Sequence, residues 1–140
     1  MRWKWIAGLM LCGCPAAIAA AAPGDGARFG QICSGIETVQ YGKQAPQRAI
    51  YTIALSIDLA GKRYCYAACS RDQTYPIADA AASPLLLAEL ATPGHARRIV
   101  LDRGTARLTD DQRIVMGPIA VVRHATATCV AGPFRQPPAP

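Results

Sequence analysis

Only two histidines, two phenylalanines and two tryptophans occur in the 140 residues, and both tryptophans, Trp3 and Trp5, lie in the first five positions. Two histidines leave little material for imidazole-based metal binding or acid–base chemistry. The Gly-x-Ser-x-Gly elbow of esterases is absent. So are His-x3-His, His-x-x-Glu-His and the phosphate loop. No apolar run reaches the length of a membrane-spanning helix, and there are no internal repeats and no long helical period. These absences remove the familiar hydrolase, metalloprotease and nucleotide-binding classes and leave a small domain whose chemistry is not announced by any motif.

The amino end reads as an export signal over residues 1–21. Arg2 and Lys4 form a positive start, Ile6–Cys14 is a short apolar run, and Pro15 breaks it ahead of an alanine-rich stretch with small-x-small cleavage options. Cleavage after Ala19 to Ala21 gives a free domain. The tetrapeptide Leu11-Cys12-Gly13-Cys14 also resembles a bacterial lipobox, which would lipidate Cys14 and tether the protein to a membrane. Of the 15 Lys and Arg against 9 acidic residues, Arg2 and Lys4 leave with the signal, so the mature charge falls from +6 to about +4. That supports solubility and a weak attraction to anionic surfaces, and it does not indicate nucleic-acid binding.

Four cysteines remain: Cys33, Cys65, Cys69 and Cys129. An even number in a small exported domain points to two disulfides, of which four cysteines allow three connectivities. We favour Cys33–Cys129, joining the ends of the folded region, with Cys65–Cys69 closing a tight loop. Zinc is the alternative use of the four, but there is only one close pair, and an oxidising compartment disfavours thiolates. We expect no metal and no cofactor.

The clearest pattern in the chain is Arg48–Ala60, where Tyr51, Ile53, Leu55, Ile57 and Leu59 alternate with small or polar residues. Period-2 alternation marks a strand with one buried face, and we take it as the central strand. Further strands are predicted at Gln31–Tyr41, Arg63–Ala67, Thr74–Ala78, Pro84–Leu90, Ala96–Asp102, Thr105–Thr109, Arg113–Met116 and Ile119–Cys129. Gly61-Lys62 suits a two-residue hairpin loop with Asp58 facing Cys65. Arg103-Gly104 suits a second hairpin in which Gly104 takes positive φ. Asp79–Ser83 is read as one helical turn capped by Asp79, and Asp110–Gln112 as a turn. The fold expected is all-β: an antiparallel meander closed as a small barrel or a sandwich, stapled by two disulfides. Residues 22–30 form a flexible lead, residues 31–130 the β domain, and residues 131–140 a proline-rich tail, extended or disordered.

Cys33, Ile57-Asp58-Leu59-Ala60, Tyr64-Cys65, Cys69 and Thr128-Cys129, with Pro133-Phe134 after them, form a pattern that resembles a group of small exported bacterial proteins of unknown function. The resemblance implies the fold and the cross-links and brings no activity with it.

Candidate site residues are few. His95 sits beside Gly94 at a turn and reads as a solvated loop residue. His124 stands five residues before Cys129, an odd separation that places the two on opposite faces of a strand and rules out a Cys–His dyad there. Asp110-Asp111 is the only adjacent acidic pair, and Asp58 reads as a strand-end residue on the wet face. Arg97, Arg98, Arg103, Arg107, Arg113 and Arg123 crowd the second half. The favoured reading of them is a solvated face with cross-strand pairs, partly offset by Asp102, Asp110 and Asp111. The alternative is a stripe in which Arg97, Arg98, Arg107 and Arg123 contact an anionic partner, either an envelope protein or an anionic glycan. The function expected is a non-enzymatic binding or structural module of the cell envelope, periplasmic or secreted. The alternatives are an inhibitor-like module that docks another envelope protein, a hydrolase with an unrecognised site, and, if Cys14 is lipidated, a membrane-anchored lipoprotein. A small-ligand carrier is disfavoured, because a barrel this small has little room beyond its own side chains.

Overall fold

A computed structural model describes residues 26–139. The export signal, Cys14 and the first part of the lead lie outside the described residues.

The chain forms eight antiparallel strands: β1 Arg28–Tyr41, β2 Gln47–Asp58, β3 Arg63–Tyr66, β4 Thr74–Pro76, β5 Leu85–Ala91, β6 His95–Asp102, β7 Arg107–Met116 and β8 Ile119–Gly132. They make one sheet in the order β4-β3-β2-β1-β8-β7-β6-β5. Every strand except β4 neighbours the next in the chain, and the last pairs with the first, so the meander curls into a nearly closed barrel with β4 and β5 at its two edges. The remaining seam is bridged by the segment after β4. Ile77 N–H donates to the Lys62 carbonyl (2.9 Å) on one side, while Ala78 and Asp79 N–H donate to Leu87 and Leu86 (3.0 Å each) on the other.

The odd side of β2 faces the core, as its alternation requires. Tyr51, Leu55 and Ile57 are buried, and Ile53 and Leu59 pack against the same cluster. Leu85, Leu87, Ile99, Leu101, Leu108, Ala125 and Ala127 complete it from the opposite wall. Fully burying an aliphatic side chain of this size contributes about 1.5 to 3 kcal/mol. The strand is not the middle of the sheet. That place belongs to β1 and β8, which pair from Gly30↔Gly132 to Tyr41↔Val121. Gly35 of β1 is a glycine for steric reasons, since a Cβ there would run into the Thr126 carbonyl and the Ala127 backbone of β8.

Both cross-links form as expected, Cys33–Cys129 and Cys65–Cys69. Cys33 and Cys129 are direct partners in the β1–β8 ladder. β1 starts at Arg28, inside the expected lead, and β8 runs to Gly132.

Four local expectations are corrected. The β2–β3 hairpin pairs Asp58 with Arg63 and Ser56 with Cys65, so the loop is Leu59–Lys62, not Gly61-Lys62. Asp58 Oδ1 accepts the Gly61 N–H (2.9 Å), Lys62 N–H returns to the Leu59 carbonyl, and Lys62 takes φ +51°, which together stabilise the longer turn. The shift is two residues, so Tyr64 and Tyr66 keep their face. In the second hairpin the left-handed residue is Ala106 (φ +53°), not Gly104. Asp110–Gln112 is not a turn but the middle of β7, because Asp110 finds partners inside the barrel and Asp111 outside it. Asp79–Ser83 forms no helix; Asp79 Oδ1 accepts the Ala81 and Ala82 N–H groups (2.9 and 3.1 Å) within a bent loop.

Candidate functional site

Strand parity decides which charges reach solvent. Arg97 and Arg98 are consecutive on β6, so they point to opposite sides of the wall. Arg97 turns inward and grips Asp110 with two hydrogen bonds, Nε to Oδ1 (3.1 Å) and Nη2 to Oδ2 (2.8 Å). Tyr51 Oη donates to the same carboxylate (3.0 Å). The Arg97 guanidinium also lies 5.7 Å from the centre of the Tyr66 ring, within cation–π range, and Tyr64, Tyr66 and Tyr75 pack on one another edge-on or tilted. Burial pushes the Tyr51 phenol well above its ordinary value, and the Asp110 carboxylate adds to the effect. Burial works against the charge of Arg97, but the bonds to Asp110 outweigh it and hold the guanidinium protonated.

A second inward group lies towards the end of the barrel where β6 begins. Arg123 of β8 pairs with Glu37 of β1 (2.6 Å) and donates to Gln112 Oε1 (3.2 Å). The Gln112 amide nitrogen lies 2.9 Å from His95 Nε2. His95 is therefore half-buried at the start of β6 and not a free loop residue. Arg98 faces outward and approaches Glu89 at 3.8 Å, an exposed pair that contributes little. Arg107 is exposed at the start of β7, opposite Asp102. Of the four arginines singled out in the sequence, Arg97, Arg98 and Arg123 come near one another around one concavity, two of them turned inward to carboxylates, and Arg107 is not among them.

Outside, the ladders align Arg98, Asp111, His124, Thr38 and Arg48 across five strands. His124 Nδ1 is paired with Asp111, both half-exposed. They border a shallow concavity of about 290 Å³ floored by Leu90, Ala91, Ala96 and Val122.

Three cations without an ion pair among the described residues lie together elsewhere. Lys62 from the β2–β3 loop, Arg63 from β3 and Arg71 from the turn before β4 line a cleft of about 240 Å³ with Thr74, Tyr75, Pro76, Pro138 and Ala139. No acidic side chain lines it among the described residues. One wall is the carboxyl-terminal tail, held extended across the end of β2 and β3. Arg135 N–H donates to Ser56 Oγ (2.9 Å), Gln136 Nε2 donates to Asp58 Oδ2 (3.0 Å), and Arg63 reaches the Pro138 carbonyl. The tail covers Asp58, which is buried and not on a wet face. It also brings the Arg135 carbonyl to 3.6 Å from Cys69 Sγ. Sequence reasoning missed this cleft because Arg71 is remote from Lys62 along the chain and the tail carries no strand pattern. The one available signal was Lys62-Arg63 on a hairpin turn.

No protein-family model matches the chain, and no curated protein and no solved structure matches it either. The two disulfides point to an oxidising, extracytoplasmic environment. Among the described residues no helix is long and apolar enough to cross a membrane.

Proposed function

We propose that this protein is an exported, non-enzymatic binding module of the cell envelope, periplasmic or secreted, and that it engages an anionic glycan through the Lys62–Arg63–Arg71 cleft. The observation that carries the reading is the division of charge. The inward arginines Arg97 and Arg123 are consumed by Asp110 and Glu37. The three cations of the cleft face a cavity with no acidic lining among the described residues. Tyr75 beside them is partly exposed and offers a flat ring to a sugar face. The filled core inside the barrel supports surface recognition over an internal carrier role.

The test is an NMR titration of the mature protein with a uronate-bearing oligosaccharide at low and moderate salt. Amide shifts clustered at Lys62, Arg63, Arg71 and Tyr75, weakened by salt and abolished by Arg71→Glu, are expected. Shifts that are absent, or that ignore both salt and the substitution, overturn the assignment.

The paired His124 and Asp111 beside the outer concavity give the hydrolase alternative its one specific observation. A His–Asp pair still needs a nucleophile or an activated water. Hydrolysis of a glycan or ester substrate that is lost on His124→Ala would favour it over the binding module.

A further inference from the structure

β2 is paired on one side along its whole length and on the other along only a third of it. β1 covers it from Gln47 to Asp58, whereas β3 reaches only Leu55 to Asp58. Ala67 N–H takes the Ala54 carbonyl (2.9 Å), which fixes the parity: even-numbered residues of β2 aim their backbone groups away from β1. The N–H and C=O groups of Arg48, Ile50 and Thr52 therefore lie along an open edge with no strand beside them among the described residues. This is also where β2 carries its largest exposed apolar side chain. Ile50 is 82% accessible, above every other large hydrophobic among the described residues. Gln47 and Ala49, on the inner side, are exposed as well, so the end of the β1–β2 hairpin stands clear of the core on both faces.

Natural sheets guard such edges with proline, lysine, bulges or inward charges. Gln47–Ile53 has no proline, no lysine and no bulge in its ladder with β1, and its one charge is Arg48. The contrast lies within this molecule. Another open stretch, the second half of β5, carries a bulge between Leu86 and Ala88 and the charged Glu89. Each rim carries one charge, but only β5 is bulged; the β2 edge is regular and left able to pair.

We propose that the β2 edge is a homodimer interface, in which two copies join antiparallel about a two-fold axis passing between their Ile50 residues. Parity allows this register, because even residues then meet even residues. Ile50 faces Ile50 of the second copy, and Arg48 faces Thr52. About six inter-chain backbone hydrogen bonds form. No like charges stand directly opposite, and the most exposed isoleucine gains an apolar cross-strand neighbour. A second copy is favoured over an unrelated extended peptide because the strand is complementary to itself in this register in charge, in backbone parity and in its apolar centre. The interface is separate from the cationic cleft and does not depend on the glycan reading.

The test is sedimentation velocity of the mature, disulfide-bonded protein from micromolar to near-millimolar concentration, with amide exchange measured at both ends. A reversible dimer is expected, with the Ile50 and Thr52 amides protected only at high concentration. Ile50→Lys sets two ammonium groups against each other and should raise the dissociation constant by about tenfold or more. The side chain is exposed in the monomer, so the fold is retained. Val130→Lys, at an exposed position on β8, should leave the dimer intact. A chain that is monomeric throughout the range, a dimer indifferent to Ile50→Lys, or a dimer broken equally by Val130→Lys overturns the proposal.

Discussion

Asp58 accepts from three donors: the Gly61 backbone N–H, the Gln136 side chain and Arg28 Nε. The Gly61 bond first, then the Gln136 bond, hold its carboxyl below the usual carboxylate range. A depressed acid contributes stability that is fully present above its unfolded value of about 3.9 and lost as the pH falls through the lower folded value. Asp58→Asn should therefore be less stable than the wild type at neutral pH, and the gap should close below about pH 4. Urea midpoints of both proteins between neutral and acid pH measure this, and a gap of constant size would mean that the carboxylate charge is not what holds the turn and tail. At the same scale, sequence reading misjudged Asp58 because nothing near it in the chain announces Gln136. It misjudged Asp110 because two adjacent aspartates are usual in turns. Here each aspartate has a partner on a neighbouring strand, Arg97 for one and His124 for the other.

Alternation was visible in β2 because its apolar residues are large and its intervening ones small, and the core face followed directly. The register of the β2–β3 hairpin was not visible, because a shift of two residues preserves the face pattern and only the cap by Asp58 on Gly61 separates the two loops. The division of the arginines between two faces has a reason the sequence did contain: Arg97 and Arg98, as neighbours on a strand, cannot share a face. The tail was expected to be extended or disordered, and past Gly132 it is extended and pinned. Its energetic share should be measurable. Ending the chain after Phe134 removes the bonds from Arg135 and Gln136 and should cost about 1 to 3 kcal/mol in urea unfolding. It should also hasten reduction of Cys65–Cys69 while leaving Cys33–Cys129 as slow as before. Equal reduction rates with and without the tail would show that it does not shield the small loop.

For the molecule as a whole, the two cross-links should differ in weight. Cys33–Cys129 spans 96 residues and Cys65–Cys69 spans 4. In the chain-entropy account the long closure is worth about 4 to 5 kcal/mol and the short one about 2. Replacing each pair by alanine and comparing urea stabilities should reproduce that order; a larger loss from the Cys65–Cys69 pair would reverse the assignment of roles. The all-β class was legible in period-2 patterning and both pairings in the placement of the cysteines, one pair at the ends of the folded region and one four residues apart, whereas patterning alone left a barrel and a sandwich open. The cleft was not, because it is assembled from a hairpin turn, a second turn and the tail, which meet only once the sheet has curled.

The neighbour relation between β1 and β8 has a consequence for how the protein comes into being. A chain made from its amino end presents its first strand long before its last. Until Ile119–Gly132 emerges, one flank of β1 has no native mate, and Cys33 has no native sulfur to join. The closure is about as non-local as this chain permits, so it should be the slow step of maturation. Through that interval the unfinished sheet is a target for chaperones, proteases and wrong thiols, and the oxidant that seals the barrel must arrive last.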